Sequence, residues 1–505
     1  MADDLNTRFL EWFMSHGGKV ELAAVGLTHF PDAGRGAVAL RDIQENEIIF
    51  SIPRDLLLST RTCTLRTELG ENAWKKLGNG WAGLMLCMMW ENAKGASSKW
   101  AGYFEIMPNT FHSLMFWTPD ELSELTGSTV LDKIGKNEAE KDYHERVVPI
   151  LKDRPDLFPP SHLDSHYGLN MYHIMGSRIL SRSFHVEEWK GNHSDSDDEE
   201  EHEEDGGEEQ PEVVVPAERP ASEDKMAVDG ENTIEPHPHT LEADDEEDDE
   251  AEDVSDVSMV PMADMLNARN GCDNANLFYE EHILEMRATK PIKSGEQIWN
   301  TYGDPPNSDL LRRYGHVDML TLPDGSIGNP SDVVEITADL VVDIVASEHS
   351  RERIDWWLEE GGDDVFIMEA NSPLPDALVS LIRLLLSTSD EWEKIRDKGK
   401  PPKPKSDAQS DSVAEKVLRK RLDMYKTSLD DDICLLSSGS TPLSSNYQNA
   451  VLVRMGEKRI LEGALGKLVE KAKAGSQTQT AGGKKRRAAN GREGEASNGK
   501  RSKRS

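Results

Sequence analysis

Apolar and polar positions keep one rhythm for a stretch and then switch, and each rhythm predicts an element. In GRGAVALRDIQENEIIFSIP, residues 34–53, alternation at Val38 and Leu40 and the β-rich run IIFSI flank a polar turn. That pattern predicts two short strands, closed by Pro53. From about Arg66 to His185 the apolar spacing becomes helical, in Trp81, Leu84, Met85, Met88 and Met89 and again in Leu169, Tyr172, His173, Met175, Gly176 and Ile179. Prolines at 108, 119, 149, 159 and 160 break this helical block into pieces. After VSMVPMADMLNA the runs shorten again to LFYE, HILEMRATK and EQIWNTYG, bounded by Asn, Gly and Pro, and predict strands. From about Asp332 onward VSLIRLLLS, AEKVLRKRLDMY and RILEGALGKLVEKA predict a second, all-helical domain, interrupted by the linker KGKPPKPK. No period of about 20–50 residues suggests a repeat array.

Charge changes this picture in two places. The 505 residues carry a formal net charge of −37, which excludes a surface built to coat nucleic acid generally. Most of it is local: from His193 to Asp256 there are 29 acidic and 2 basic residues, whereas Lys484 to Ser505 holds 9 basic and 2 acidic. Such segments cannot bury enough apolar surface to offset the chain entropy of folding, so about 191–256 and 473–505 are expected to be disordered. The acidic run therefore interrupts one β-rich domain and does not separate two.

The start, MADDLNTRFLEWFMSHGG, is acidic and amphipathic, unlike a secretory signal, and the run Leu84 to Trp90 is far short of the ~18 apolar residues of a membrane span. A soluble intracellular protein is expected. Cys63, Cys87, Cys272 and Cys434 lie far apart with no CxxC pair, against a disulfide framework or a cysteine-ligated zinc, and no metal is expected. No sustained heptad pattern appears, and a monomer is expected.

Three segments can carry chemistry. Gly34 to Ala39 formally fits a loose dinucleotide fingerprint, but a strand follows the glycines where that motif needs a helix. Either the glycines open a β-hairpin, or they let a ligand approach exposed backbone. In MVPMADMLNA, Asp264 and Asn267 stand in an apolar run where unpartnered burial costs about 1–3 kcal/mol each. They either cap a turn or contact a ligand. Tyr302 beside Gly303 and Tyr314 beside Gly315 either pack as lids on a core or line a site.

Taken in order, GRGAVALRDIQENEIIFSIP, SRSF, MVPMADMLNA, KPIKSGEQIWNTYG and LLRRYGHV resemble the motifs of SET-domain protein lysine methyltransferases. The helical insertion and helical C-terminal domain further resemble the subgroup named for the Rubisco large-subunit methyltransferase, and within it the fungal ribosomal lysine methyltransferases. The likeness covers about residues 5–470 apart from the acidic insert. It implies an α+β fold: short SET-domain β-sheets with a knot-like C-terminal crossing and a helical insertion, then an all-α substrate-binding domain. The expected boundaries are 1–320 for the SET domain, with the insertion at about 61–180 and the acidic insert at about 191–256. The substrate-binding domain then spans 330–472, and a basic tail 473–505.

The resemblance also implies site residues. Ala33, Gly34 and Arg35 would form a backbone cradle for S-adenosylmethionine, with Gly36 allowing close approach. Arg182 of SRSF would pair with the cofactor's carboxylate, for which a guanidinium is suited. Asn267 and Ala268 match the asparagine-histidine pair of the family, with alanine where the family has histidine. Tyr302 matches the active-site tyrosine beside the cofactor, with a positioning role. Tyr314 would line the lysine channel, and Asp264 and Ser181 would sit near the substrate lysine. His316 stands where the family commonly stacks a phenylalanine on adenine, so protonation of the imidazole could make cofactor binding pH-dependent.

The implied function is methylation of a non-histone protein lysine, with a large-subunit ribosomal protein as the expected substrate. The alternatives are a catalytically silent SET-like module that binds a peptide or partner, and a histone methyltransferase, which the missing cysteine-rich segment disfavours. KKRR at 484–487 and KRSKR at 500–504 suggest an import receptor and a nuclear location, with the cytoplasm also open, or only a solvated tail touching RNA nonspecifically. Neither a membrane nor a specific nucleic-acid partner is expected. The acidic insert either holds a basic substrate or is a tolerated loop expansion.

Overall fold

The computed structural model describes residues 2–31, 33–189, 256–347, 349–437 and 444–489. The acidic insert, but for Asp256, and the tail from residue 490 lie outside the described residues. The strands of the N-terminal half are β1 (Lys19–Val20), β2 (Val25–Phe30), β3 (Gly34–Ala39), β4 (Ile48–Pro53), β5 (Ser183–His185), β6 (Val257–Met259), β7 (Ala275–Tyr279), β8 (Ile283–Ala288) and β9 (Gln297–Ile298). They build a four-stranded sheet in the order β1-β4-β8-β7, a three-stranded sheet β2-β3-β9 and the pair β5-β6. The period-2 alternation of β8 points Leu284, Met286 and Ala288 into the core, while IIFSI of β4 is buried almost throughout.

The pair β5-β6 closes the domain across the acidic insert. Ser183 faces Met259 and His185 faces Val257, Val186 N–H donates to Asp256 O at 2.8 Å, and Arg61 holds both Val186 O and the Asp256 carboxylate. The two flanks of the insert are therefore strands of one antiparallel pair.

Helices fill the expected insertion. Ala82–Ala93 is apolar nearly all round, with Leu84, Leu86, Cys87, Met88 and Met89 buried, as an internal helix must be. Against it runs Leu169–Arg182, which delivers Ser181 and Arg182 at its last turn and passes straight into β5. A further helix, Ala2–Ser15, buries Phe9 and Phe13 in the same core and packs on Ala101–Ile106.

The crossing near the C-terminal motifs is a parallel bridge between Asn267 and Trp299, with Asn300 N–H donating to Asn267 O at 3.0 Å. Beyond β10 (Leu320–Thr321) and β11 (Ile327–Gly328) the C-terminal region is helical, with one departure from the expected all-α reading. β12 (Val333–Thr337) and β13 (Val365–Glu369) pair antiparallel and bury Val334, Ile336, Phe366 and Met368 against the helices. The cause is visible in VVEIT and VFIME, short period-2 runs rich in β-branched and aromatic residues. Helices end at Lys398 and resume at Ala408, leaving KGKPPKPK as the linker. The last helix, Ser445–Ala489, continues past residue 473, where the sequence places the start of the tail.

A buried polar seam joins this region to the insertion. Arg454 binds Asp432 and Glu124, Lys458 Nζ lies 2.6 Å from Asp432, and Glu457 accepts from Tyr425 and Ser128. Asp332 receives Asn307 N–H at 2.9 Å and touches the same helix at Gly456.

Candidate active site

The site begins at the turn into β3. Gly34 has φ +69°, left-handed backbone that glycine adopts freely, and open space where a Cβ would point. Gly36 is the reverse: a Cβ there would lie 2.6 Å from Asn267 Nδ2 and 2.7 Å from Gln297 Nε2. Only a bare backbone lets Asn267 Nδ2 donate to Arg35 O at 3.2 Å. The Arg35 side chain turns the other way, to Asn6 Oδ1 and Ile106 O, both at 2.9 Å. Burial, with Arg182 nearby, lowers its pKa.

Asp264 sits in a buried 3₁₀ turn, Ala263–Met265, with its side chain fully out of solvent. Its Oδ2 accepts from Tyr103 OH at 2.8 Å and lies 3.5 Å from Arg182 Nη1, which also donates to Asp264 O at 2.7 Å. Oδ1 has no partner. Burial raises this carboxyl to about 6, against the pull of Arg182 and Tyr103.

Tyr302 and Tyr314 are half-buried and stacked, with ring centroids 4.5 Å apart and planes 9° apart. Tyr302 OH donates to Leu266 O at 3.2 Å, which sets the phenol beside the Asp264 turn. Burial pushes both phenols up, so each remains protonated at neutral pH and acts as a donor. Ala268, Arg269, Tyr302, Pro305, Leu310 and Asp318 line the adjoining cleft. Gly315, at φ +79°, packs so tightly on the His112–Ser113 backbone that a Cβ would meet it at 2.7 Å. His316 follows, its ring 6.0 Å from that of Tyr314.

Known families match this layout. Residues 34–303 match the SET domain, and residues 347–461 match the Rubisco LSMT substrate-binding domain. The chain belongs to the SET-domain family. Ribosomal lysine N-methyltransferase 4 of Saccharomyces cerevisiae is 33% identical over 290 residues, 56% of this chain and 49% of that protein, so the match spans about half of that relative. N-lysine methyltransferase SETD6 of Homo sapiens is 27% identical over 461 residues, 85% of this chain and 83% of its own. The structure of Rubisco LSMT bound to sinefungin and monomethyllysine has the same fold, with a TM-score of 0.63 at 20% identity, covering 93% of this chain and 92% of that one. With its Rubisco LSMT substrate-binding domain, this SET-domain chain is a protein-lysine N-methyltransferase.

The structure gathers Gly34, Arg35, Gly36, Arg182, Asp264, Asn267, Ala268, Tyr302, Tyr314 and His316 around one turn and cleft. Ala33 opens the β2-β3 turn, its N–H donating to Phe30 O. Ser181 spends its hydroxyl inside its own helix, on Ser177 O at 2.7 Å. Asp264 meets the site through Arg182 and Tyr103, its carboxylate lying beneath the surface. His316 is exposed to solvent at the rim, yet surrounded by enough protein that desolvation lowers its pKa, with Asp318 opposing and Arg269 reinforcing.

Sequence reasoning missed Tyr103, Asn6 and Gln297. Tyr103 lies in the apolar helix AGYFEI and reads there as core, Asn6 precedes every motif, and Gln297 is one residue of a strand. None carries a spacing signal.

Proposed function

We propose that this lysine methyltransferase uses S-adenosylmethionine to methylate a lysine of a large-subunit ribosomal protein. The observation that carries the chemistry is the stacked pair Tyr302 and Tyr314, set beside the bare backbone of Gly34 and Gly36 and the Arg182 guanidinium. These residues fit the cofactor. Gly34 leaves room for it, Arg182 offers a cation for its carboxylate, and Asn267 shapes the turn. When bound, the cofactor supplies a methyl group activated on a sulfonium.

The chain's own residues then handle the lysine amine. A lysine titrates near 10.4 in water, and the two aromatic faces strip water from it and favour its neutral form. Tyr302, held protonated by its surroundings with its proton given to Leu266 O, accepts from an amine N–H through its phenol oxygen, which orients the amine and leaves the nitrogen lone pair free for the methyl group, and it does not take a proton as a base would. Placement of amine and methyl in line supplies the larger part of the rate.

The ribosomal substrate rests on likeness to the yeast enzyme, whose name gives its substrate as ribosomal, and on charge. A chain of net charge −37 attracts a basic partner at long range. A nuclear location is proposed from the basic clusters at 484–487 and 500–504. The test is transfer of labelled methyl from S-adenosylmethionine into a cytosolic ribosomal protein fraction, comparing the intact protein with Tyr302→Phe. A labelled large-subunit band that fades at least tenfold in the variant supports the proposal; label confined to histones or other proteins removes the ribosomal substrate. Absent label together with absent cofactor binding by calorimetry favours the silent-module reading, which Ala268 and His316 motivate.

A further inference from the structure

Tyr103 has no part in the reading above, and its setting is costly if it serves only as core. It is fully buried, its ring stacked on Trp12 at 6.1 Å and 9° and tilted against Phe9 at 6.4 Å. The helix that carries it is pressed onto the N-terminal helix so closely that a Cβ on Gly102 would meet Trp12 at 2.4 Å. The ring is therefore fixed, and with it the hydroxyl, whose acceptor is one oxygen of a buried carboxylate.

That carboxylate is half-satisfied. Asp264 Oδ2 takes Tyr103 OH and faces Arg182, while Oδ1 is buried without a partner. Burying an ionisable group this way is unfavourable, and packing alone would be served better by an apolar residue of the same shape. What the arrangement does supply is direction. The Asp264 side chain is 0% exposed and the Arg182 side chain 26%, so the guanidinium is the open end of an anchored pair, and it lies close enough to Arg35 in the Gly34–Gly36 turn for the two cations to repel. Arg35, also close, has its own guanidinium tied to Asn6 and Ile106 O, which leaves Arg182 as the cation aimed by this anchor.

We propose that Tyr103 is a positioning residue for cofactor binding: its hydroxyl fixes the Asp264 carboxylate, which aims the Arg182 guanidinium at the carboxylate of S-adenosylmethionine. The inference rests on the cofactor reading above. The chain of command runs Trp12 and Phe9 to Tyr103, then Asp264, then Arg182, each link a contact already described.

The experiment is calorimetric titration of the full chain with S-adenosylmethionine, in the wild type, Tyr103→Phe, Arg182→Lys and the double variant. Tyr103→Phe keeps the ring and removes one hydroxyl, so its Tm stays within a few degrees. The expected result is about tenfold weaker cofactor binding, in line with loss of one hydrogen bond to a charged group, with the KM for the protein substrate unchanged. Asp264→Asn, nearly isosteric, weakens binding in the same direction. In the Arg182→Lys background Tyr103→Phe changes the Kd less than twofold, because the group it aims has gone. Unchanged affinity in Tyr103→Phe, or an equal loss in both backgrounds, overturns the inference. A wild type that binds no S-adenosylmethionine removes the cofactor reading itself, and the inference with it.

Discussion

At Gly36 one methyl group decides the geometry of the turn. Two side-chain amides, of Asn267 and Gln297, already occupy the place of a Cβ, at 2.6 and 2.7 Å. Gly36→Ala must push Asn267 off Arg35 O, an overpacking that costs about 1–3 kcal/mol. The expected outcome is a lower midpoint in urea and a cofactor affinity at least tenfold weaker by calorimetry; wild-type affinity would show that the turn yields freely. His316 makes a prediction in pH. Its surroundings lower its pKa below the ordinary 6.5, so the imidazole is neutral at pH 8 and gains charge only on the acid side. Charge there adds to that of Arg269 and of the cofactor's sulfonium, so binding is weaker on the acid side of that lowered value than at pH 8. His316→Phe should shrink that difference, and an unaltered difference would exclude His316 as its source. The glycines, Asn267 and the two tyrosines were legible because each sits in a motif with neighbours of a fixed type. Tyr103 was not, because a tyrosine on an apolar helix face looks the same whether its hydroxyl meets a carbonyl or a functional carboxylate.

Elements were legible where their period was clean and their neighbours close in sequence. The alternation in residues 34–53 yields β3 and β4, and the apolar run after Trp81 yields an internal helix. The pair β12-β13 escaped because its strands are five residues each and separated by two helices, so neither reads as a hairpin. Pairing over that separation is a tertiary matter that local periodicity does not encode. The N-terminal helix escaped in function, not in form: its amphipathic face is plain in FLEWF, but that this face clamps Tyr103 follows only from the fold.

Across the whole molecule the polar seam between the insertion and the C-terminal region sets a pH dependence of stability. Burial raises the Asp332 carboxyl from 3.8 to about 7, with Glu457 adding to the rise and Arg459 and the Asn307 and Asn329 backbone opposing it. The folded protein thus keeps a proton that the unfolded chain releases above about 4. Stability from this group is complete below that value and is lost as pH rises through 7. Asp332→Asn keeps an acceptor for Asn307 N–H and cannot ionise. It should stabilise the protein by roughly 4 kcal/mol at pH 8 and by less than half of that at pH 5, read from urea unfolding at both. Equal effects at the two pH values would place the proton elsewhere.

The pairing of β5 with β6 also bears on how the chain can evolve. Because the backbone leaves and returns through adjacent strands stitched by Arg61, whatever lies between them hangs from a single doorway. Closing a flexible connection costs only about 0.6 kcal/mol more for each doubling of its length, so a doorway of this kind sets little limit on how much chain it can carry. Arg182 is the last residue of the helix that runs into β5, so the doorway and the guanidinium are held by one continuous stretch of backbone, and a change in the pairing of β5 with β6 reaches the cofactor site through a single peptide bond.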